Sequence, residues 1–146
     1  MSLFAAYPKA KWTRSIKRAV ERGAEFYLSR EMHKEGNRYE PWYRFHYPIH
    51  YYYDLLVGLG FMTTLGFADD RRLKFAISVL KEKRRPDGRW NLDATHPDLG
   101  PIAELYARRP PTPFSLEPVG QPSKMITLRA LKALKDLGDE SVQNPR

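Results

Sequence analysis

The chain has 146 residues, 42% of them apolar and 13% aromatic, enough for one domain with a core of its own. Cysteine is absent, which excludes disulfides, thiolate catalysis and cysteine-ligated zinc and fits a reducing, cytoplasmic setting. The net charge of +8 (25 Lys and Arg against 17 Asp and Glu) suits an acidic partner, but the cations are dispersed over residues 9–22, 71–89, 108–109 and 124–135, as on a solvated surface.

Residues 1–11 lack the apolar run of a signal peptide. A first helix is predicted over about residues 12–32, because Ile16, Ala19, Val20, Ala24, Tyr27 and Leu28 recur at helical spacing. Thr13 or Ser15 is its cap, and Gly36 closes the segment. The loop at 33–47 carries Tyr39, Trp42, Tyr43, Phe45 and Tyr47, so it is expected to pack on the body.

A second helix is predicted over about residues 48–65, with Pro48 in its first turn and an apolar face of Tyr52, Leu55, Leu56, Leu59, Met62 and Leu65. Gly58 and Gly60 each lower helix propensity by about 1 kcal/mol relative to Ala, which implies close approach of a neighbouring helix. Gly66 is the stop. The apolar run at 55–61 is far too short to cross a bilayer, so no membrane span is expected.

A third helix runs from Asp69 or Asp70 to Arg84 or Arg85, with Leu73, Ala76, Ile77 and Leu80 facing inward and the acids favouring its start. A long proline-rich loop at 86–122 follows, with a short helical turn expected at 102–108. The fourth helix spans about residues 123–137, capped by Ser123, with a stripe of Ile126, Leu128, Leu131, Leu134 and Leu137, and it ends at Gly138. The tail from Asp139 is expected to fray.

The helices match in alternate pairs. Ala24, Leu28 and Gly36 fall on Ala76, Leu80 and Gly88, while Gly58, Leu59, Met62, Leu65 and Gly66 fall on Ala130, Leu131, Leu134, Leu137 and Gly138. The expected fold is therefore all-α: a single domain, 1–146, of two helix–loop–helix repeats, at about 12–66 and 69–138. Two repeats are few for burying their faces, which points to a homo-oligomer, a larger helical assembly, or capping by the two loops.

Between the third helix and the loop, Pro86 cannot continue the helix, Gly88 supplies a left-handed turn, and Trp90 is thrown back against the helix end. The run Arg84-Arg85-Pro86-Asp87-Gly88-Arg89-Trp90 resembles the Gln-x-x-x-Gly-x-Trp signature that closes outer helices in the squalene cyclase and prenyltransferase superfamily. Gly88 and Trp90 match as structural residues; Arg84 stands where that signature has glutamine, and Arg38 where the first hairpin would carry tryptophan. The run Phe45-His46-Tyr47-Pro48 followed by His50-Tyr51-Tyr52-Tyr53-Asp54 also looks like prokaryotic members of that superfamily. The resemblance implies part of an α/α toroid, or a minimal version of one, with the second and fourth helices inside. It does not carry the known chemistry: the Asp-x-Asp-Asp acid motif of the cyclases is missing, as is the cysteine of the zinc prenyltransferases.

His50 and Asp54 are four apart and would share a face of the second helix, either as an acid/base pair or as a plain hydrogen-bonded pair. With His46 they make a conceivable metal set, but no metal is assigned. Trp42, His46, Tyr47, His50, Tyr53 and Asp54 are the expected ligand-binding residues, lining an apolar, aromatic-rimmed concavity; the competing reading is simple packing of the loop. No phosphate loop, nucleophile elbow or His-Glu-x-x-His motif is present, and no cofactor is expected. The expected function is a binding module for a hydrophobic, isoprenoid-like molecule or a partner protein. One alternative is a terpenoid cyclase-like or prenyltransferase-like enzyme using His50 and Asp54. The other is a basic module that binds nucleic acid or another polyanion through Lys9, Lys11, Arg14, Lys17 and Arg18, although no nucleic-acid motif is present.

Overall fold

The computed structural model describes residues 2–33, 39–49, 53–95 and 117–140. The molecule is predominantly helical. A single-turn helix α1 (Ser2–Ala6) and a 3-10 turn (Lys9–Lys11) precede α2 (Arg14–Leu28). Thr13 caps α2 by accepting the Ile16 N–H on its hydroxyl at 3.3 Å. Val20, Ala24 and Leu28, one helical step apart, are its buried stripe. The helix expected to reach Met32 stops at Leu28, because Glu31 and Met32 turn left-handed, at φ 47° and 67°.

A 3-10 turn (Glu40–Tyr43) leads towards α3 (Leu55–Leu65). This helix starts well after Pro48, where the sequence placed it. Asp54 holds extended dihedrals and takes the Val57 N–H on Oδ1 at 2.7 Å, which makes it the cap, while the upstream backbone is engaged elsewhere. There His46 bridges Ala94 in parallel, and Tyr47 donates to the Ala94 carbonyl at 3.3 Å. Leu55, Leu56, Val57, Gly58, Leu59, Met62, Thr63 and Leu65 are all buried, so α3 is apolar nearly all round and forms the core helix. Gly66 ends it at φ 100°.

A 3-10 turn (Arg71–Leu73), capped by Asp70 through the Arg72 N–H at 2.9 Å, runs into α4 (Lys74–Glu82). Asp70 thus acts by direct capping. Beyond α4, β1 (Trp90–Asn91) pairs antiparallel with β2 (Pro122–Ser123), Trp90 opposite Ser123. The two ends of what the sequence presented as a plain loop are therefore a ladder. It extends through Leu92, whose N–H donates to Gln121 and whose carbonyl accepts from Gly120. Ser123 then caps α5 (Lys124–Asp136), accepting the Ile126 N–H at 3.0 Å. Its buried residues are Ile126, Ala130, Ala133 and Leu134. Leu128, expected on this stripe, is 62% exposed, since two positions turn a helix by about 200°. α3 packs against α5, α4 and α1, and α5 also covers β1. The expected turn at 102–108, the closing Gly36 and the tail beyond residue 140 lie outside the described residues.

Candidate functional site

The left-handed pair Glu31 and Met32 builds the most distinctive cleft. Neither residue is glycine, and each such conformation costs on the order of 1–3 kcal/mol, so the surroundings must hold it. They do. The Met32 N–H donates to the Tyr27 carbonyl at 3.0 Å, and the Met32 carbonyl accepts from the Tyr53 hydroxyl at 2.9 Å. The Met32 side chain is driven into the core, against the space left by Gly58. The chain is thereby folded back over the end of α2. His33 follows, its Nδ1 2.7 Å from the Glu31 carbonyl; a carbonyl only accepts, so Nδ1 carries the proton. The His33 ring stacks on Phe75 with centroids 3.7 Å apart.

Opposite this turn stand Trp42, on the Glu40–Tyr43 turn, and Tyr53, just before α3. Tyr53 stacks on Tyr27 at 5.5 Å and meets Trp42 edge-on at 5.4 Å. Phe26, Tyr27, Arg30, Met32, His33, Trp42 and Tyr53 enclose about 120 Å³, room for one ring or a short aliphatic segment. At the rim, the Arg30 guanidinium lies 4.0 Å from the Phe26 ring centre and donates to the Phe26 carbonyl at 2.9 Å. A second, larger groove of about 540 Å³ is lined by Phe75, and Glu40, Arg44, Glu82, Lys83 and Asp93 give it mixed charge.

Of the six expected ligand-binding residues, Trp42 and Tyr53 line this cleft. His46 and Asp54 do not. They form a buried pair, 1% and 0% exposed, with His46 Nδ1 2.5 Å from Asp54 Oδ2. The same oxygen accepts the His46 backbone N–H at 3.0 Å, while Oδ1 holds the α3 cap. Arg129 on α5 reaches the His46 carbonyl at 3.5 Å. Burial pulls its guanidinium below the ordinary arginine value, opposed by the nearby Asp54 carboxylate. The group ties the aromatic segment, the start of α3 and α5 together, and the burial of His46 and Asp54 keeps a substrate from their polar atoms. Asp54 precedes α3 as its extended cap instead of lying on a helical face as the spacing predicts; His50 lies outside the described residues. Tyr47 is half-buried beside Ala94. Among the described residues, no three His, Asp or Glu side chains gather as a metal site.

Sequence reasoning missed Phe26, Arg30, Met32 and His33, and it read Tyr27 only as core. One signal was available: no glycine follows α2 before residue 36, so a left-handed exit before that point falls on a non-glycine residue.

No family model, curated protein or solved structure matches the chain. No helix among the described residues is long and apolar enough to cross a membrane.

Proposed function

We propose that the chain is a binding module that takes the slim apolar part of a small molecule into the Tyr27–Trp42–Tyr53 cleft. The observation that carries this reading is the cleft itself: three aromatic rings held by mutual contacts, closed on one side by a backbone turn in a costly conformation. An isoprenoid-like chain suits its apolar walls. The two-repeat, toroid-like arrangement belongs to the same proposal, with α3 and α5 as inner helices and α2 and α4 as outer ones. Supporting it are the burial of α3 against α5, the stapled Trp90 at the end of α4, and the left-handed glycines Gly66 and Gly138 that end corresponding helices. The test is titration of short alkyl and aryl probes, followed by the NMR signals of the Trp42 indole and Tyr53 ring. Saturable shifts there, weakened about tenfold or more in Trp42→Ala, are expected, since hot-spot aromatics commonly carry over 1 kcal/mol each. Unaltered signals with every probe would remove the proposal.

A second reading has its own observation. Lys9, Lys11, Arg14, Lys17 and Arg18 are all exposed, and among the described residues none is paired with a carboxylate. A polyanion would find them open. Retention on heparin that collapses with modest salt is its expected sign. Weak, salt-insensitive retention counts against it.

A further inference from the structure

The start of the chain carries an apolar surface that serves neither the core nor the aromatic cleft. Leu3, Phe4, Ala6 and Tyr7 meet Ile16 of α2 around an open groove of about 340 Å³. Leu3 is 78% and Tyr7 43% exposed, while Phe4 and Ile16 are half-buried. Apolar side chains exposed singly are ordinary, but a set that shares one groove marks an interaction surface. The backbone here is held in place. The Trp12 indole donates to the Tyr7 carbonyl at 3.1 Å, the Tyr7 N–H to the Phe4 carbonyl at 3.3 Å, and the Lys11 N–H to the Pro8 carbonyl at 2.9 Å. α1 also packs against α3, so the groove exists before anything enters it.

Positive charge brackets this groove. The first acidic residue in the chain is Glu21, and before it stand Lys9, Lys11, Arg14, Lys17 and Arg18, all exposed. Lys9 and Lys11 follow Tyr7 on the 3-10 turn, and Lys17 adjoins Ile16 in α2. Lys9 Nζ leans over Gly66 at the end of α3, 3.4 Å from where a Cβ would stand. Arg14 and Arg18, two positions either side of Ile16, lie about 200° round the helix from it. A flat anionic membrane laid on the groove leaves those two behind, whereas a peptide needs only the cations at the groove's edges. A nucleic acid would use the charge and give the apolar floor no role.

We propose that this groove docks a short acidic amphipathic segment of a partner protein. Its apolar side chains seat between Leu3, Tyr7 and Ile16, and its flanking carboxylates meet Lys11 and Lys17. The desolvated apolar anchors carry the affinity, and the rim charges select the sign of the partner. The docking is independent of the aromatic cleft, and it goes beyond the polyanion reading by giving the apolar floor its occupant.

Three labelled amphipathic peptides separate the possibilities: a leucine face with glutamate flanks, an alanine face with glutamate flanks, and a leucine face with lysine flanks. Each is titrated into the full chain and followed by fluorescence anisotropy. The leucine/glutamate peptide is expected to bind about tenfold more tightly than either of the others. Leu3→Ser should bring it down to the level of the alanine/glutamate peptide. Lys11→Glu combined with Lys17→Glu should turn the preference towards the leucine/lysine peptide. These positions are exposed, and a circular dichroism melt of each variant checks that the fold persists. Equal affinity of the leucine/glutamate peptide and either control would overturn the proposal, as would binding of none. Retention on heparin reads the polyanion site separately and survives that failure. Tighter attachment to phosphatidylserine vesicles than to any peptide, lost in Leu3→Ser, would overturn it in favour of a membrane surface.

Discussion

Asp87 lies where α4 hands over to the β ladder, between two arginines. Its Oδ2 accepts from Arg89 Nη2 at 2.9 Å and from Arg85 Nε at 3.3 Å, and its Oδ1 takes the Arg89 backbone N–H at 3.1 Å. The Arg89 side chain, then the Arg89 backbone, hold the carboxyl at about 2, below its ordinary 3.8. A depressed carboxyl stabilises the fold above its unfolded value and loses that contribution as pH falls through the folded one. The turn should therefore loosen between about pH 3.8 and 2. Faster Gly88 amide exchange in that window is the readout, and Arg89→Gln should move the Asp87 midpoint up towards 3.8. A midpoint already at the ordinary value in the unaltered chain would contradict this. At this scale the turn was readable from sequence, because Pro86, Gly88 and Trp90 act on near neighbours. Arg30 and His33 were not: their charge and ring matter only once the chain folds back over α2.

The second helix shows what spacing conveys about an element and what it withholds. Its apolar content and its glycine stop were legible, but its start was not. Pro48 suits a first turn, yet the chain there is taken by pairing with Ala94, and Asp54 sets the start instead. The two glycines of α3 also part company. A Cβ on Gly58 would lie 2.6 Å from both Met32 Cε and the Tyr53 hydroxyl, whereas one on Gly60 meets nothing within 4 Å. The close approach inferred from sequence is thus real at Gly58 alone, and it comes from the cleft residues rather than from a neighbouring helix. Gly60→Ala should stabilise by about 1 kcal/mol through helix propensity. At Gly58 the same gain is opposed by overpacking of about 1–3 kcal/mol, so Gly58→Ala should be neutral to destabilising and should also disturb Tyr53. Denaturant midpoints compare the two directly; equal stabilisation by both would refute the contact.

Across the molecule, Trp90 ties α4, the β ladder and α5 together. Its indole N–H donates to the Leu80 carbonyl at the end of α4 at 2.7 Å, and its backbone N–H donates to Thr127 on α5 at 3.0 Å. Its strand pairs with Ser123, the α5 cap, and the Arg84 guanidinium lies 5.4 Å from its ring. Arg84 thus packs against the ring that the turn throws back onto α4. Trp90→Ala should cost about 3–5 kcal/mol, a large share of a domain's stability. Trp90→Phe should cost less, by retaining one aromatic ring while losing the bond to Leu80 and part of the buried indole volume. One cooperative melt shifted downward is expected for each; an unchanged melt in Trp90→Ala would mean the ring staples nothing.

The sequence by itself determined a predominantly helical chain, the buried stripes of α2 and α4, the cap at Ser123, and the turn at Gly88, and it narrowed the cap of α2 to Thr13 or Ser15. These follow from rules that act within a few residues: helical period, capping oxygens and left-handed glycine. Only the tertiary structure decided that Asp54 grips His46, that the ends of the proline-rich segment pair as strands, that Leu128 faces outward, and that Arg30 and His33 rim an aromatic cleft. Apolar burial is non-directional and says that a ring is covered without saying by what. Hydrogen bonds and ion pairs are directional, but their partners lie far apart in the chain, and no local rule brings them together.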